Sequence, residues 1–460
     1  MLIVADDLGY GDLGCYGARD IRTPNIDSLA AQGAMFTSFC VAQSVCTASR
    51  VAIMSGCYPH RIGMAGALNH TSTVGIHPDE YLLPEMLQAQ GYATGCFGKW
   101  HLGTKPEFFP TRNGFDEWAG LPYSNDNGPL HPTVKGIPAL PFYENDKVIE
   151  TDPDQSQFTA RLTDYAVKFI TANKERPFFL YLPHVMPHVP IFASEKFKGK
   201  SSRGLYGDVV EELDAGVGRV LQVLRELNLD ENTLVIFLSD NGPFLSYGEH
   251  AGSAKPLREG KLTTFEGGLR VPFLVRWSTK IAAGKVNDEL ITGLDLLPSL
   301  ATIARATLPK ARKMDGVDLS SLLTDKPRAK GREIFACYSG SELHAVRRGP
   351  WKLHLPHEYL TVDGPPGRSG KPANFANMKP NPIEQSGIRG IASRHGYRVE
   401  RIELSLFNLE RDPVEQQNVA LANPRIVAEL MELAAEFRRE LGDSLMKEKG
   451  SGLREAGVSK

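Results

Sequence analysis

Four stretches of this chain are apolar without alternation and stop abruptly at polar side chains. Leu2-Ile3-Val4-Ala5 runs into Asp6-Asp7, and Ala93–Phe97 into Gly98-Lys99-Trp100-His101. Pro177–Leu182 runs into Pro183-His184-Val185-Met186-Pro187-His188, and Thr233–Leu238 into Ser239-Asp240-Asn241-Gly242. A strand with one wet face alternates, whereas a strand apolar along its whole length is covered on both sides. Segments with helical spacing lie between these strands: Thr23–Gly33, Leu83–Gln90, Phe158–Ala172, and the run Val210, Leu213, Val217, Leu221, Leu224 and Leu227. The β-α-β order predicts an α/β fold, a large and mostly parallel sheet with helices on both faces. Ligands of such sheets bind beyond the carboxyl ends of the strands, so the four polar ends are expected to share one site.

At two of those ends Asp6, Asp7, Asp240 and Asn241 offer only oxygen donors. Hard oxygen ligands with several carboxylates suit Ca²⁺ or Mg²⁺ and argue against zinc. Taken singly, each pair also reads as a turn: Asp6-Asp7 precedes the glycine-rich Leu8-Gly9-Tyr10-Gly11-Asp12, and Asp240-Asn241-Gly242 suits a positive φ. Their placement at two strand ends favours a metal site. The crowding of protein oxygens there points to Ca²⁺, with Mg²⁺ as the alternative.

Cys46-Thr47-Ala48-Ser49-Arg50 opens a predicted helix from Thr47 to Met54 that ends at Gly56. Backbone N–H groups and the helix dipole favour anions at such a start, and Arg50 returns to the same face one turn later. The arrangement suits an oxyanion, although a free cysteine is more often a packing residue. The net charge of −2 suggests neither nucleic acid nor an anionic membrane as a partner, so anion recognition has to be local. The six cysteines show no spacing of a zinc cage or a disulfide framework, and Cys15, Cys40, Cys57, Cys96 and Cys337 read as core. No apolar run approaches the roughly 20 residues that span a bilayer.

The rest of the chain is less regular. Lys105–Asp154 is rich in Pro, Gly and Asn and is expected to be mostly loop, with Tyr123-Ser124-Asn125-Asp126-Asn127-Gly128 inside it. Pro272–Trp277 reads as a further strand. From about Arg332 the character changes: Ala345–Leu355 reads as a hairpin, Glu358–Ser393 as a long loop, Glu403–Leu409 as a strand and Asn423–Leu441 as a helix with Leu430, Leu433 and Phe437 inward. The polar tail from Lys447 is expected to fray. We therefore expect a catalytic domain over 1–335 and a smaller α+β domain over 336–460.

Two of these blocks carry a family resemblance. Cys46–Arg50 resembles the sulfatase signature C-x-P/A-S-R, whose cysteine is oxidised to formylglycine, with Ala48 where the commoner form has Pro. Gly91-Tyr92-Ala93-Thr94-Gly95-Cys96-Phe97-Gly98-Lys99-Trp100-His101-Leu102-Gly103 is similar to the second sulfatase signature almost position for position. With Glu410-Arg411-Asp412-Pro413 and the C-terminal pattern, which resembles a small antiparallel sheet with one packed helix, the likeness covers nearly the whole chain. It identifies a type I, formylglycine-dependent, arylsulfatase-like member of the alkaline-phosphatase-like superfamily.

The resemblance implies that Asp6, Asp7, Asp240 and Asn241 are the metal ligands, with the modified Cys46 as the fifth. It implies that a hydrated formylglycine attacks sulfur, that Asp240 takes the proton, and that the second hydroxyl expels sulfate with His101 as base. Arg50 and Lys99 would hold the diol, Lys261 would contact the sulfate, and His188 would protonate the leaving oxygen, with His184 as an alternative at that position. Ser124 is similar to a serine near the sulfate in arylsulfatase-like members. The expected activity is hydrolysis of sulfate monoesters on an aryl group or a sulfated carbohydrate, after a formylglycine-generating maturation enzyme has acted. Two alternatives stand beside it: a phosphonate monoester or phosphodiester hydrolase of the same superfamily, and an unmodified, non-catalytic sulfoglycan-binding relative. The apolar strand begins directly after Met1, without a basic region or cleavage site. Relatives have a longer first strand and often a secretion signal, so we expect a periplasmic or secreted full-length form, with the cytoplasm as the alternative.

Overall fold

The computed structural model describes residues 1–385 and 387–459. Ten strands form its main sheet: β1 (Leu2–Ala5), β2 (Ala34–Phe36), β3 (Ala93–Lys99), β4 (Glu117–Leu121), β5 (Pro141–Glu144), β6 (Lys147–Thr151), β7 (Phe178–Pro183), β8 (Val235–Ser239), β9 (Phe273–Arg276) and β10 (Lys285–Asn287). Their spatial order is β10-β2-β9-β8-β1-β7-β3-β4-β5-β6. The middle of the sheet, from β8 through β1, β7 and β3 to β4, is parallel throughout. Antiparallel partners flank it on both sides, so the sheet is mixed, with the expected parallel part at its centre.

The apolar central strands are explained by what covers them. Leu2 and Val4 on one face of β1 join a core with α2 (Cys46–Ser55), while Ile3 and Ala5 on the other join a core with α1 (Pro24–Ala31). The Leu2/Val4 face is also packed by α3 (Leu83–Ala89), and the Ile3/Ala5 face by α4 (Phe158–Ala172) and α5 (Gly204–Glu226). Burying one such Leu, Ile or Val side chain contributes about 1.5–3 kcal/mol, which only a two-sided core supplies along a whole strand. Close strand packing needs Gly98 in β3: at φ 140, a Cβ there would lie 1.8 Å from the Pro183 carbonyl oxygen of β7. This approach carries Lys99 and His101 up beside the end of β7.

The C-terminal part forms a four-stranded antiparallel sheet from β11 (Ile334–Ser339), β12 (Glu342–Arg348), β13 (Trp351–His354) and a later strand at Ser405–Asn408. The helix Pro424–Leu441 packs on β12 and β13. Lys105–Asp154 is mostly loop as expected, with β4, β5 and β6 set into it; β4 escaped notice because Glu-Trp-Ala-Gly-Leu is short and contains glycine, and Pro141 starts an outlying strand where its missing N–H is tolerated. Two expectations need correction. The stretch 358–393 is not one loop: His357–Val362 pairs with Tyr397–Ile402, and Ile388–His395 is helical. That pairing spans a long connection which no local pattern announces. The tail is tied down rather than frayed, since Arg454 is ion-paired to Glu80 and Gly457–Val458 pairs with Val74–Gly75. No helix among the described residues is long and apolar enough to cross a membrane.

Candidate active site

The four polar strand ends meet as expected. Asp6 and Asp7 follow β1, Asp240 and Asn241 follow β8, Lys99 closes β3, and all five are buried. Cys46 is the first residue of α2 and only 2% exposed. Asp7 and His101 hold φ of 66° and 65°, a left-handed conformation that costs a non-glycine residue about 1 kcal/mol or more and persists where the surroundings enforce it.

Three carboxylates face three cations here. The Arg50 guanidinium lies 2.9 Å from Asp240 Oδ2 and 3.5 Å from Asp6 Oδ2, and its Nη1 donates to the Lys99 carbonyl at 2.7 Å. Lys99 Nζ donates to Asp6 Oδ2 at 2.6 Å. Lys261 Nζ donates to Asp7 Oδ1 at 2.7 Å and stands 3.3 Å from Cys46 Sγ. Burial pushes the Asp6 carboxyl up, yet Lys99, His188 and Arg50 together hold it below the usual range. Burial opposes the charge on Lys99 and Lys261 too, and the carboxylates beside them raise both above an ordinary lysine. The Cys46 thiol is pushed up to about 12 by burial against the pull of Lys261 and Lys99, so the unmodified side chain is a neutral, inert thiol.

The histidines differ in role by their partners. His101 Nε2 lies 2.7 Å from the Leu68 carbonyl, which can only accept, so the proton sits on Nε2. Its Nδ1 is buried without a partner among the described residues, and burial together with Lys99 keeps the ring well below its usual pKa. The result is a neutral imidazole with a free lone pair. His188 turns Nδ1 to the Val189 carbonyl and Nε2 toward Asp7 Oδ2 at 3.6 Å, with Ser124 Oγ 3.3 Å from the ring nitrogens. Both line a cavity of about 560 Å³ that also exposes Cys46, Ser124 and Lys261. His184 is buried beside β7 away from that lining, and burial lowers it to about 4. Of the two histidines left open by the sequence, the structure brings His188 to the cavity and not His184.

One oxygen donates no clue by itself but matters in the group: Asn241 Oδ1 is buried and takes no hydrogen bond from a described residue, while its Nδ2 donates to Asp7 Oδ1 at 2.6 Å. Ligand atoms of Asp6, Asp7, Cys46 and His188 all lie within 4.8 Å of one another, a cluster able to hold a metal ion. An orphaned amide oxygen among carboxylates is what a hard cation would satisfy.

Family models match almost the full length of the chain: Sulfatase over residues 1–306 and the C-terminal region of aryl-sulfatase over 330–452. The chain belongs to the sulfatase family. It is 43% identical to arylsulfatase A of Bos taurus over 377 residues, 77% of this chain and 74% of the relative. It is 38% identical to N-acetylgalactosamine-6-sulfatase of Canis lupus familiaris over 377 residues, 77% of this chain and 71% of that one. A solved structure, Ps i-CgsB in complex with k-i-k-neocarrahexaose, superposes with a TM-score of 0.74 at 30% identity, covering 95% of this chain and 91% of the other. The protein is thus a sulfatase enzyme with the alkaline-phosphatase-like fold, and a family of metal-dependent enzymes agrees with the buried cluster.

Sequence reasoning passed over three cavity residues. Asp126, His131 and His395 line the same space as Cys46. Asp126 lay inside the Tyr123–Gly128 block without a role, and the two histidines sit on segments whose fold was not readable.

Proposed function

We propose that this sulfatase hydrolyses sulfate monoesters of saccharides, and aryl sulfates as simpler substrates, using a formylglycine made from Cys46 and one divalent cation, Ca²⁺ before Mg²⁺. The observation that carries this reading is the contact of Lys261 with both Cys46 and Asp7, which joins residue 46 to the oxygen cluster and to a cation fit for sulfate. Asp6, Asp7, Asp240 and Asn241 would hold the metal beside residue 46. The metal would supply a Lewis acid, and formylglycine would supply a hydrated aldehyde in place of a thiol that is inert at neutral pH.

The chain's own groups have separable tasks. Lys261 binds a sulfonyl oxygen and offsets its charge, while Arg50 and Lys99, fixed by Asp240 and Asp6, hold positive potential under residue 46. His101 accepts a proton at its free Nδ1. His188, anchored by its Nδ1–H on the Val189 carbonyl, turns Nε2 toward the leaving oxygen and would donate there when the ring carries a second proton. Three carboxylates against three cations leave the site near neutral by itself, so a dication would make it net positive, as an anionic sulfate requires. In this reading residues 1–335 perform the chemistry and 336–460 contribute part of the cavity wall, and a formylglycine-generating enzyme must accept Cys-Thr-Ala-Ser-Arg.

Mass spectrometry of the reduced tryptic peptide from Thr23 to Arg50 tests the proposal. Protein matured in its native host should show a loss of about 18 Da at Cys46, the exchange of a thiol for an aldehyde. Cysteine left fully unmodified there, in protein that turns over aryl sulfate, would overturn it.

A further inference from the structure

The free Nδ1 of His101 depends on what its other nitrogen does. The Nε2–H is held by the Leu68 carbonyl at 2.7 Å, and which nitrogen of an imidazole keeps the proton follows from the bond the other one makes. Leu68 belongs to a segment, 63–73, that contains neither helix nor strand. Residues 65–69 of it line the cavity, and it covers the start of α2: the Gly66 carbonyl accepts from the Ala48 N–H at 3.2 Å, and the Leu68 N–H donates to Thr47 Oγ1 at 3.1 Å. Within the segment only Met64 and Leu68 are buried, so its own packing does little to fix it.

Both ends of the segment are held instead by the C-terminal tail. Before it, Arg61 Nη1 donates to the Gly452 carbonyl at 2.8 Å, the Arg61 carbonyl accepts from the Arg454 N–H, and a Cβ on Gly63 would lie 2.6 Å from the Ala456 nitrogen. After it, the Thr73 carbonyl accepts from the Ser459 N–H at 2.7 Å, and Gly457–Val458 pairs with Val74–Gly75. Gly75 in turn bridges Gly103, just past His101, and the Ile76 N–H donates to the Leu102 carbonyl at 2.8 Å. Three glycines of this ribbon face one ring. A Cβ on Gly75, Gly103 or Gly457 would come within 2.3, 2.2 or 2.7 Å of the buried Phe108 side chain, whose backbone carbonyl accepts from Trp100 Nε1 at 2.8 Å. The tail is thus one of three backbones in a seat that fixes the chain on both sides of His101. Arg454 anchors it by donating to both Glu80 carboxylate oxygens at 2.7 Å, and none of residues 452–459 lines the cavity.

We infer that the tail, residues 452–459, is a positioning element for catalysis: it keeps the segment 63–73 where the Leu68 carbonyl holds the His101 proton on Nε2 and leaves Nδ1 free to accept. The inference rests on the sulfatase reading above, with His101 as base. With the tail lifted, Nε2 loses its acceptor, and the imidazole is free to turn or to carry its proton on Nδ1. The test uses matured, metal-loaded enzyme matched in formylglycine content. It reads kcat for 4-nitrophenyl sulfate at saturation, where weaker substrate binding by the displaced segment has no effect. Gly457→Val, and a chain ending at Ser451 as a second way to lift the tail, should each lower kcat by about 10–100-fold. The same changes made in His101→Ala should lower kcat by less than about twofold, because an element acting through His101 then has nothing to act on. A kcat within about threefold of wild type for both changes, or a loss as large in His101→Ala as in wild type, would overturn the inference alone. No turnover of the ester by matured wild type would overturn the sulfatase reading and this inference with it.

Discussion

Lys352 offers the sharpest test of how the small sheet supports the site. It is fully buried in β13, with its ammonium 2.9 Å from Glu266 and from Glu415, and it donates to the Thr264 carbonyl at 2.7 Å. Thr264 lies three residues beyond Lys261, so this ion ties the sulfate-facing loop to the C-terminal sheet. Lys352→Met keeps most of the side chain's volume and removes its charge, leaving two buried carboxylates without their shared partner. Breaking a buried pair from one side costs about 3–5 kcal/mol. Arg347, 3.9 Å from Glu266, offsets part of this, so we expect a loss near 3 kcal/mol at neutral pH.

The sign of the pH dependence follows from Glu266. Burial pushes its carboxyl up, but Lys352 first and Arg347 second hold it below the ordinary value of 4.5. A depressed carboxyl contributes stability that is present above its unfolded pKa and lost as pH falls through the folded one. Removing Lys352 removes that contribution and lets Glu266 bind a proton more readily in the folded state. The gap between wild type and variant is therefore widest at pH 7–8 and narrows as pH falls toward the ordinary glutamate range. Urea unfolding at pH 8 and pH 5 reads both quantities, and kcat/KM for aryl sulfate should fall on the order of 10–100-fold from displacement of the loop. A stability loss below about 1 kcal/mol, or one equal at the two pH values, would refute the reasoning.

The remaining predictions concern the site itself. His101→Ala should lower kcat by about 10²–10⁴-fold, and because burial holds this imidazole neutral the wild-type enzyme should keep its base through mildly acidic pH; a variant within about threefold of wild type would remove His101 from the chemistry. Protein stripped with chelator should gain thermal stability on adding Ca²⁺, equivalent to about 2.7 kcal/mol when the ion is at 100 times its Kd. Asn241→Ala, which deletes the unpartnered Oδ1, should abolish most of that gain, and an unchanged Ca²⁺ response would place the ion elsewhere.

Much of this was readable beforehand, for a physical reason. The central strands are covered on both faces, so their composition announces both their class and, at the point where it fails, the rim of the site; Asp6, Lys99 and Asp240 were found that way. Where a strand's partner lies far along the chain, as for His357–Val362 with Tyr397–Ile402, local sequence carries no trace of the pairing. The histidine choice shows the same limit at a single residue: His184 and His188 both follow β7, and only the backbone path after that strand decides that the second reaches the cavity. Asp126, His131 and His395 come from two segments that are adjacent only once the whole chain is folded.

The burial of Cys46 imposes an order in time. At 2% exposure, beneath Lys261 and at the foot of a wholly buried helix, residue 46 offers a modifying enzyme nothing to grip in the finished protein. The proposed oxidation would then act on a chain that has not yet closed, so folding and maturation compete for the same segment. Any change that speeds collapse around α2 would yield a better-folded and less active product, so the yield of working enzyme is a kinetic quantity that stability alone does not report.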